Sequence, residues 1–184
     1  MKFTSQSIPD VLLIEPDIYS DNRGYFLETF RQDLLDSAIG KKVNFVQENE
    51  SKSSKGVLRG LHYQIPPFSQ AKLVSVNEGR VLDIAVDIRK SSLTFGQHVA
   101  VELSDINKNQ IYIPHGFAHG FVVLSDTAIF SYKVDNYYAP EYDRGFAFND
   151  TNISIDWKIA HNLIKLSLKD KALPSFSDSL QFFE

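Results

Sequence analysis

The segment Val81-Leu82-Asp83-Ile84-Ala85-Val86-Asp87-Ile88-Arg89 places a large apolar side chain at every second position. Successive side chains of a β-strand point to opposite faces, so the apolar residues from Leu82 to Ile88 share one face. The segment therefore predicts a half-buried strand with this face against a core.

Similar short runs recur through the middle of the chain, separated by turn residues, and this spacing is typical of a β-barrel or β-sandwich. They cover residues 43–47, 57–64, 72–76, 98–103, 110–113, 121–124 and 127–134. Asn77-Glu78-Gly79 separates two of the runs, and Gly79 can take the positive φ that a tight turn needs. We therefore predict a hairpin at this point and antiparallel pairing.

Helices are predicted in only two places. Residues 30–39 carry an apolar stripe, Thr29 and Gln32 form a capping-box pattern, and Gly40 follows as a stop signal. A second, short helix is expected near residues 157–163.

Composition indicates a single globular domain spanning residues 1–184. Hydrophobic residues make up 43% of the chain and charged residues 23%, which are ordinary values for a folded protein. The chain has no cysteine, so neither an oxidising compartment nor a thiolate metal site is indicated. A formal charge of −4 without a basic tract argues against a protein that binds long nucleic acid. No apolar stretch suits a signal peptide or a membrane span, so we predict a cytoplasmic protein.

Histidine is scarce, and its placement raises the question of a metal site. Of five histidines, two lie in the loop-like segment 114–120 and a third is His62. In a β-barrel, His62, His119 and Glu78 would be a possible three-ligand set. However, Gln64 stands two positions after His62, where a metal-binding barrel of this kind would carry another histidine. A core histidine satisfied by hydrogen bonds is the other alternative for His62.

Polar residues crowd into the strand-like sequence between residues 59 and 72. They are Arg59, His62, Gln64 and Lys72. Alternation should direct several of them inward, and a barrel interior does not accept such side chains without partners. Arg59 can share a cavity with His62 only if the strand bends or bulges, which Gly60 permits.

Tyr132 follows Ala128 and Phe130 on the face of a predicted strand that ends at Val134. This apolar row is expected to face the core, where a tyrosine hydroxyl needs a partner. An ordinary packing role is the alternative for this residue.

Motifs in a fixed order extend over nearly the whole chain. They are DNRGYFLE (21–28), FVQENES (45–51), VLRGLHYQ (57–64), QAKLV (70–74), DIR (87–89), IPHGFAHGF (113–121), YK through YYAPE (132–141) and LSLKD (166–170). Together they resemble the dTDP-4-dehydrorhamnose 3,5-epimerase family, metal-free members of the cupin superfamily. The resemblance implies a mainly β fold, a cupin-type antiparallel β-barrel (jelly roll) with a few short helices.

The resemblance also implies a reaction and its catalytic groups. Family members epimerise a nucleotide-linked 4-keto-6-deoxyhexose at C3 and C5, whose hydrogens are acidified by the C4 ketone. Such a reaction needs a base, a donor that stabilises the enolate and an acid on the opposite face. By resemblance His62 is the base, Asp170 its carboxylate partner, Lys72 the donor facing the enolate and Tyr132 the acid. No metal and no cofactor are implied.

The remaining site residues are likewise carried by the resemblance, as groups that contact the substrate. They are Arg23, Phe26, Glu28, Gln47, Asn49, Ser51, Arg59, His119, Tyr138, Asp143 and Lys169. Arginine and lysine suit the diphosphate, and Phe26 and Tyr138 suit stacking on the base. The family pairs as homodimers, so Arg23, Phe26 and Glu28 are expected to serve the site of the neighbouring subunit.

Several alternatives remain open from the sequence. One alternative is an enzyme that epimerises C3 alone. Another is an epimerase that acts on a GDP-linked hexose or heptose. A metal-dependent cupin enzyme and a non-catalytic module that binds sugar nucleotides are alternatives from other classes. The joint presence of His62, Lys72, Tyr132 and Asp170 argues against the last of these.

Overall fold

Two antiparallel sheets form the body of the protein in the computed structural model, which describes residues 1–179 and 181–183. In this part of the chain the strands are β1 (Lys2–Ser5), β2 (Leu12–Glu15), β3 (Ile18–Asp21), β4 (Gly24–Leu27), β5 (Gln47–Ser54), β6 (Leu58–Gln64), β7 (Lys72–Glu78), β8 (Arg80–Asp87), β9 (His98–Ser104), β10 (Gln110–Ile113), β11 (Phe117–Val123), β12 (Thr127–Val134) and β13 (Asp143–Gly145). The helices are α1 (Gln32–Ile39), α2 (Leu168–Lys171) and two 3-10 turns, Pro140–Tyr142 and His161–Leu163.

One sheet has six strands in the order β1-β2-β10-β7-β12-β5, and the other has five in the order β13-β6-β11-β8-β9. Strands β3 and β4 form a separate hairpin. All of these pairings are antiparallel. The prediction of a mainly β, antiparallel barrel with a few short helices is confirmed.

Apolar side chains fill three layers around the sheets. The first layer lies between the sheets and joins β7, β10 and β12 to β8, β9 and β11. The second covers the outer face of the five-stranded sheet with the C-terminal segment, including Trp157 and Phe176. The third packs α1 against β2, β7 and β10. None of the helices in residues 1–179 and 181–183 is long and apolar enough to cross a membrane.

Strand β8 is buried on both faces, so the prediction of a half-buried strand was wrong. Leu82 and Ile84 pack under the C-terminal segment, while Val81 and Ala85 belong to the layer between the sheets. Asp83 lies on this inner face and is 0% exposed. The alternation correctly identified the two faces, but it did not reveal that a distant segment covers the second.

The predicted hairpin at residues 77–79 was also wrong, although Gly79 does take a positive φ of 77°. Strand β7 is flanked by β10 and β12, whereas β8 is flanked by β9 and β11. The chain therefore passes from one sheet to the other at Gly79. A Cβ there would lie 2.0 Å from Thr127 O, which explains why glycine is needed.

Strand positions agree with the sequence prediction in most cases. Residues 110–113 and 127–134 are confirmed, and 57–64, 72–76 and 98–103 differ from the observed strands by at most two residues at an end. The strand predicted at 43–47 was wrong, since β5 begins only at Gln47. Strand β11 begins at Phe117, inside the segment predicted to be a loop.

The helix predicted at 30–39 begins later than expected, at Gln32. Its N-cap is Arg31, which makes no side-chain cap hydrogen bond, so the predicted Thr29–Gln32 capping box was wrong. Gln32 instead donates to Val43 O at 2.7 Å. Gly40 does end the helix, as predicted. The helix predicted at 157–163 was wrong except for one 3-10 turn, His161–Leu163.

Candidate active site

A cavity of about 300 Å³ opens between the two sheets. Its lining residues are Asn49, Glu50, Ser51, Arg59, His62, Lys72, His119, Phe121, Phe130, Tyr132, Ser167, Lys169 and Asp170. The five-stranded sheet contributes His62 and His119, and the six-stranded sheet contributes Lys72 and Tyr132. A ligand in this cavity would therefore have predicted groups on either side. Helix α2 contributes Lys169 and Asp170.

A bulge in β6 brings Arg59 to the same cavity as His62, as predicted. His62 pairs with His119 and Arg59 with Phe121, so two residues of β6 oppose one residue of β11. Gly60 lies in this bulge with a φ of 122°. A Cβ at this position would lie 2.6 Å from Gly120 Cα, so the two strands approach too closely for a larger residue.

Gln64 does not reach the cavity, in contrast to the other polar residues of this segment. Its side-chain amide donates to Phe68 O at 2.7 Å and to Tyr137 O at 3.2 Å. Its carbonyl oxygen accepts from Ala139 N at 2.6 Å. Gln64 is therefore buried and connects two loops through hydrogen bonds, so its side chain is not available to a ligand in the cavity.

His62 contacts Asp170, which lies 108 positions further along the chain. The distance from His62 Nε2 to Asp170 Oδ1 is 2.7 Å. The contact therefore leaves Nδ1 as the ring nitrogen that can take a proton, with Nε2–H facing the carboxylate.

The first turn of α2 holds Asp170 in position. Ser167 caps this helix by accepting from Asp170 N at 3.0 Å, and its hydroxyl donates to Asp170 Oδ2 at 2.6 Å. Burial acts to raise the pKa of Asp170, but hydrogen bonding with His62 and Ser167 outweighs it and holds the pKa below its ordinary value. The carboxylate is consequently ionised at neutral pH and can stabilise an imidazolium.

Lys72 reaches His119 from the opposite sheet. Lys72 Nζ is 3.5 Å from His119 Nδ1, and His119 Nε2 is 2.9 Å from Asp83 Oδ2. Burial lowers the pKa of Lys72 to about 8, although the carboxylates of Asp83 and Asp143 act to raise it. Burial also lowers the pKa of His119, against the field of Asp83. The local charges are therefore a lysine ammonium and a carboxylate, with a neutral imidazole between them.

Tyr132 projects from β12 into the layer between the sheets, and its ring lies beside Phe130. Lys72 Nζ is 5.8 Å from the centre of the Tyr132 ring. Burial raises the pKa of the phenol, although Arg59 opposes the shift. Tyr132 thus keeps its proton at neutral pH and is available as a donor. The prediction that it belongs to the core row of β12 is confirmed.

Further predicted residues extend from the cavity to its rim. Asn49, Ser51 and Lys169 line the cavity itself. Gln47 donates to Asn49 Oδ1 at 2.9 Å and accepts from Tyr138 N at 3.1 Å.

Tyr138 and Lys169 meet at one acidic side chain on the rim. Tyr138 donates its hydroxyl to Asp143 Oδ2 at 3.0 Å, and Lys169 makes an ion pair with the same oxygen. These contacts join β13, α2 and the loop after β12 into one rim.

Arg23, Phe26 and Glu28 do not reach the cavity of their own chain. Arg23 pairs with Asp21 in the hairpin of β3 and β4, and Phe26 is 70% exposed on the same hairpin. Glu28 follows the hairpin and is exposed as well. The structure therefore separates these three residues from the other predicted site residues.

The three-ligand metal set considered from the sequence is not assembled. Glu78 is exposed and accepts from Thr127 Oγ1 at 3.0 Å, while His62 and His119 are each directed at a different aspartate. Within residues 1–179 and 181–183 there is no group of three His, Cys, Asp or Glu side chains arranged to hold a metal ion.

Five residues of the site were missed in the sequence, and one of them is Glu50, which lines the cavity between Asn49 and Ser51. Asp83 was missed because its face of β8 was taken to be the outer one. Ser167 had a usable signal, since Ser167 and Asp170 have the spacing of a capping box. Phe121 and Phe130 stack with ring centres 3.8 Å apart at the cavity, and nothing in the sequence distinguishes them from other core aromatics.

Comparisons with known proteins identify the family of this chain. The family model for dTDP-4-dehydrorhamnose 3,5-epimerase matches residues 5–178. The epimerase of that name from Shigella flexneri is 52% identical over 182 residues, which cover 99% of each chain. A crystal structure from Legionella pneumophila, titled as an epimerase in complex with dTDP-4-keto-L-rhamnose, is 45% identical with a TM-score of 0.92 and covers 100% of this chain and 98% of that one.

A more distant structure is a 3′-monoepimerase from Streptomyces bikiniensis in complex with dTDP-quinovose. It is 31% identical with a TM-score of 0.86, covering 96% of this chain and 88% of that one. The match of the family model to most of the chain and the high identity across its full length lead to one conclusion: this protein belongs to the dTDP-4-dehydrorhamnose 3,5-epimerase family.

Proposed function

We propose that this protein epimerises dTDP-4-dehydro-6-deoxy-D-glucose at C3 and C5 to give dTDP-4-dehydro-L-rhamnose. One observation carries the proposal: His62, paired with the buried Asp170, lies on the five-stranded sheet, and Tyr132 lies on the six-stranded sheet across the same cavity. Inversion at carbon needs a base on one face and an acid on the other, and this arrangement supplies both.

His62 acts as the base. Its Nδ1 takes the proton from the carbon next to the C4 ketone, and the electrons of that C–H bond move into the enolate. Asp170 holds the ring by Nε2 and stabilises the imidazolium that forms, since a buried carboxylate 2.7 Å away offsets the new charge. The proton later leaves His62 for solvent.

Lys72 stabilises the negative charge that develops on the C4 oxygen. With a pKa of about 8, its ammonium is largely protonated at neutral pH. A preorganised cation in a water-poor cavity lowers the energy of an enolate far more than a solvated one. C3 and C5 both flank C4, so one such donor serves both carbons.

Tyr132 returns a proton to the carbon from the face opposite His62, which inverts the centre. Its raised pKa keeps the hydroxyl protonated until a carbanion is available to receive the proton. The phenolate is then reprotonated from solvent.

The nucleotide is bound at the rim and by a second subunit. Arg59, Lys169, Gln47, Asn49 and Ser51 are on the cavity side and suit the sugar, diphosphate and base edges. His119, Tyr138 and Asp143 complete the contacts of one chain. Arg23, Phe26 and Glu28 lie on or beside an exposed hairpin, which supports a homodimer in which each hairpin reaches the neighbour's cavity.

We also propose that residues 1–184 form one cytoplasmic domain. Contacts between distant parts of the chain support the single domain, because β2 pairs with β10 and Val57 forms a bridge with Lys165. The cytoplasmic location is expected of an enzyme that consumes a nucleotide sugar.

Two narrower alternatives concern the scope of the reaction. The protein from Streptomyces bikiniensis is described as a 3′-monoepimerase and shares the fold, so epimerisation of C3 alone is the second candidate. A GDP-linked hexose or heptose is a third candidate for the substrate. The higher identity to enzymes named 3,5-epimerases favours reaction at both carbons.

The test is incubation with dTDP-4-dehydro-6-deoxy-D-glucose in deuterated water, followed by NMR at C3 and C5. We expect deuterium at both carbons and inversion of both centres. Deuterium at C3 alone would favour the alternative of a C3 epimerase. If neither this sugar nor a GDP-linked sugar takes up deuterium, the proposal that the protein is an epimerase is refuted. His62→Ala should abolish exchange, whereas the matched control His161→Ala, outside the cavity, should retain it.

A further inference from the structure

Asp83 has no part in the reaction described above, yet it is the most deeply buried carboxylate beside the cavity. It is 0% exposed, and its Oδ1 has no hydrogen-bond partner in the described part of the chain. Its other oxygen, Oδ2, is 2.9 Å from His119 Nε2. A buried carboxylate with an unsatisfied oxygen is costly, so its presence calls for a compensating role.

Hydrogen-bond direction determines the tautomer of His119. A lysine ammonium only donates, so Lys72 Nζ can use His119 Nδ1 only as an acceptor. A carboxylate only accepts, so Asp83 takes the proton on His119 Nε2. Both contacts are satisfied together by one form, the neutral ring with its proton on Nε2.

The other protonation states of His119 oppose this arrangement. A ring with its proton on Nδ1 would direct an N–H group at the ammonium and leave Asp83 without a donor. An imidazolium would place two cations 3.5 Å apart in a buried site, where burial already disfavours the charged ring.

We propose that Asp83 is a positioning residue of the reaction, which acts through His119 to hold the Lys72 ammonium toward the C4 oxygen of the substrate. The inference rests on the proposed function, because it assigns Lys72 to the enolate. It gives Asp83 a role and makes His119 an acceptor for lysine in addition to a contact for the sugar.

Charge supports the same conclusion. The groups that act on Lys72 are His119 and Asp83 from the five-stranded sheet, Asp143 from β13 and the ring of Tyr132 from β12. Asp83 and Asp143 both act to keep Lys72 protonated against burial. Removal of the Asp83 charge should therefore lower the pKa of Lys72 further.

The first experiment measures the pH profile of kcat/KM for Asp83→Asn. At pH 7 we expect a loss on the order of 10- to 100-fold, mainly in kcat, the size expected for a lost hydrogen bond to a charged group. The alkaline limb should move to lower pH, because less charge holds the proton on Lys72. The control Asp87→Asn removes another buried carboxylate of β8, one bound by Arg89, Ser92 and Thr94, and its alkaline limb should stay in place.

The second experiment is a double-mutant cycle with His119→Asn. The asparagine carbonyl can accept from Lys72 near the position of Nδ1 without any contact to Asp83. If Asp83 acts through His119, Asp83→Asn should cost little further activity in this background at a pH well below the alkaline limb, where Lys72 stays protonated in every variant. Full additivity of the two losses would overturn the proposal.

NMR of ¹⁵N-histidine-labelled protein gives a measurement that does not depend on activity. We expect His119 in the native protein to be neutral, with its proton on Nε2, and to change form in Asp83→Asn. A proton on Nδ1 in the native protein, or an unmoved alkaline limb in the folded Asp83→Asn variant, would overturn the inference while leaving the epimerase intact. If the native protein itself lacks activity, the proposed function fails, and the NMR result still tests the arrangement.

Discussion

Replacement of Asp170 by asparagine tests the pair at the centre of the proposed reaction. The change keeps the shape of the side chain and an oxygen for Ser167 Oγ, which donates to Asp170 Oδ2 at 2.6 Å. It removes the negative charge 2.7 Å from His62 Nε2 and places an amide N–H group within reach of that nitrogen. Nε2 then becomes the acceptor, the proton moves to Nδ1, and the base is lost.

The magnitude follows from the burial of the pair. The Asp170 side chain is only 5% exposed, so the carboxylate acts on His62 with little screening by solvent. A comparable aspartate-to-asparagine change in a serine protease costs about 10,000-fold through the wrong tautomer. We expect a loss of roughly 1,000- to 10,000-fold in kcat for Asp170→Asn, about 4 to 5.5 kcal/mol of transition-state stabilisation.

The assay is deuterium exchange at C3 and C5 under saturating substrate, with KM measured separately. KM should change little, because Asp170 acts on the ring of His62. The matched control is Asp135→Asn, where a carboxylate lies at the same 2.7 Å distance from His115 Nε2 but outside the cavity. Exchange in Asp170→Asn at more than a tenth of the native rate would refute the assigned role of the pair.

Three other expectations are open to direct measurement. Tyr132→Phe should retain some deuterium exchange but lose inversion by on the order of 100-fold or more, as seen by NMR of the product; normal inversion would remove the acid from its role. In the native protein kcat/KM should fall as pH rises through about 8, since Lys72 loses its proton there, and Lys72→Arg should shift this limb to higher pH; an unchanged limb would contradict the assignment. Gly60→Ala should lower the free energy of unfolding by about 1–3 kcal/mol in urea denaturation, because a positive φ of 122° is combined with a Cβ position only 2.6 Å from Gly120 Cα. Gly24→Ala, where φ is also positive at 132° but the space is open, should cost less, and equal losses would argue against the close contact at Gly60.

Much of the fold is visible in local sequence pattern, but its pairing is not. Residues 127–134 are recognisable as a strand from alternation alone, and the structure confirms their bounds. The partners of that strand, β5 and β7, depend on contacts between residues up to 87 positions apart, such as Val134 with Gln47. No turn residue encodes such a pairing, which is why a local signal at Gly79 was mistaken for a hairpin.

The site divides in the same way. The group of polar residues around His62 and the bend at Gly60 follow from residue type and spacing, whereas the role of His62 as base was assigned through family resemblance. Asp170 was assigned through family resemblance, since 108 positions separate it from His62. Asp83 was missed because a charged residue in an alternating strand is normally expected on the solvent side. The distant C-terminal segment covers the face of β8 that carries Leu82 and Ile84, so Asp83, on the opposite face, points between the sheets.

Helix α2, which carries Asp170, follows every strand of both sheets in the chain. During synthesis the strands leave the ribosome before Asp170 does. The strands that carry His62, Lys72 and Tyr132 are therefore complete before the carboxylate that pairs with His62 is available. A chain clipped ahead of Ser167 would retain most of the groups that hold a nucleotide sugar and would lack the carboxylate that orients His62. The same cut would remove Phe176 and Phe182 from the apolar layer over the five-stranded sheet, so one C-terminal segment both supplies the partner of the base and covers the strands that present it.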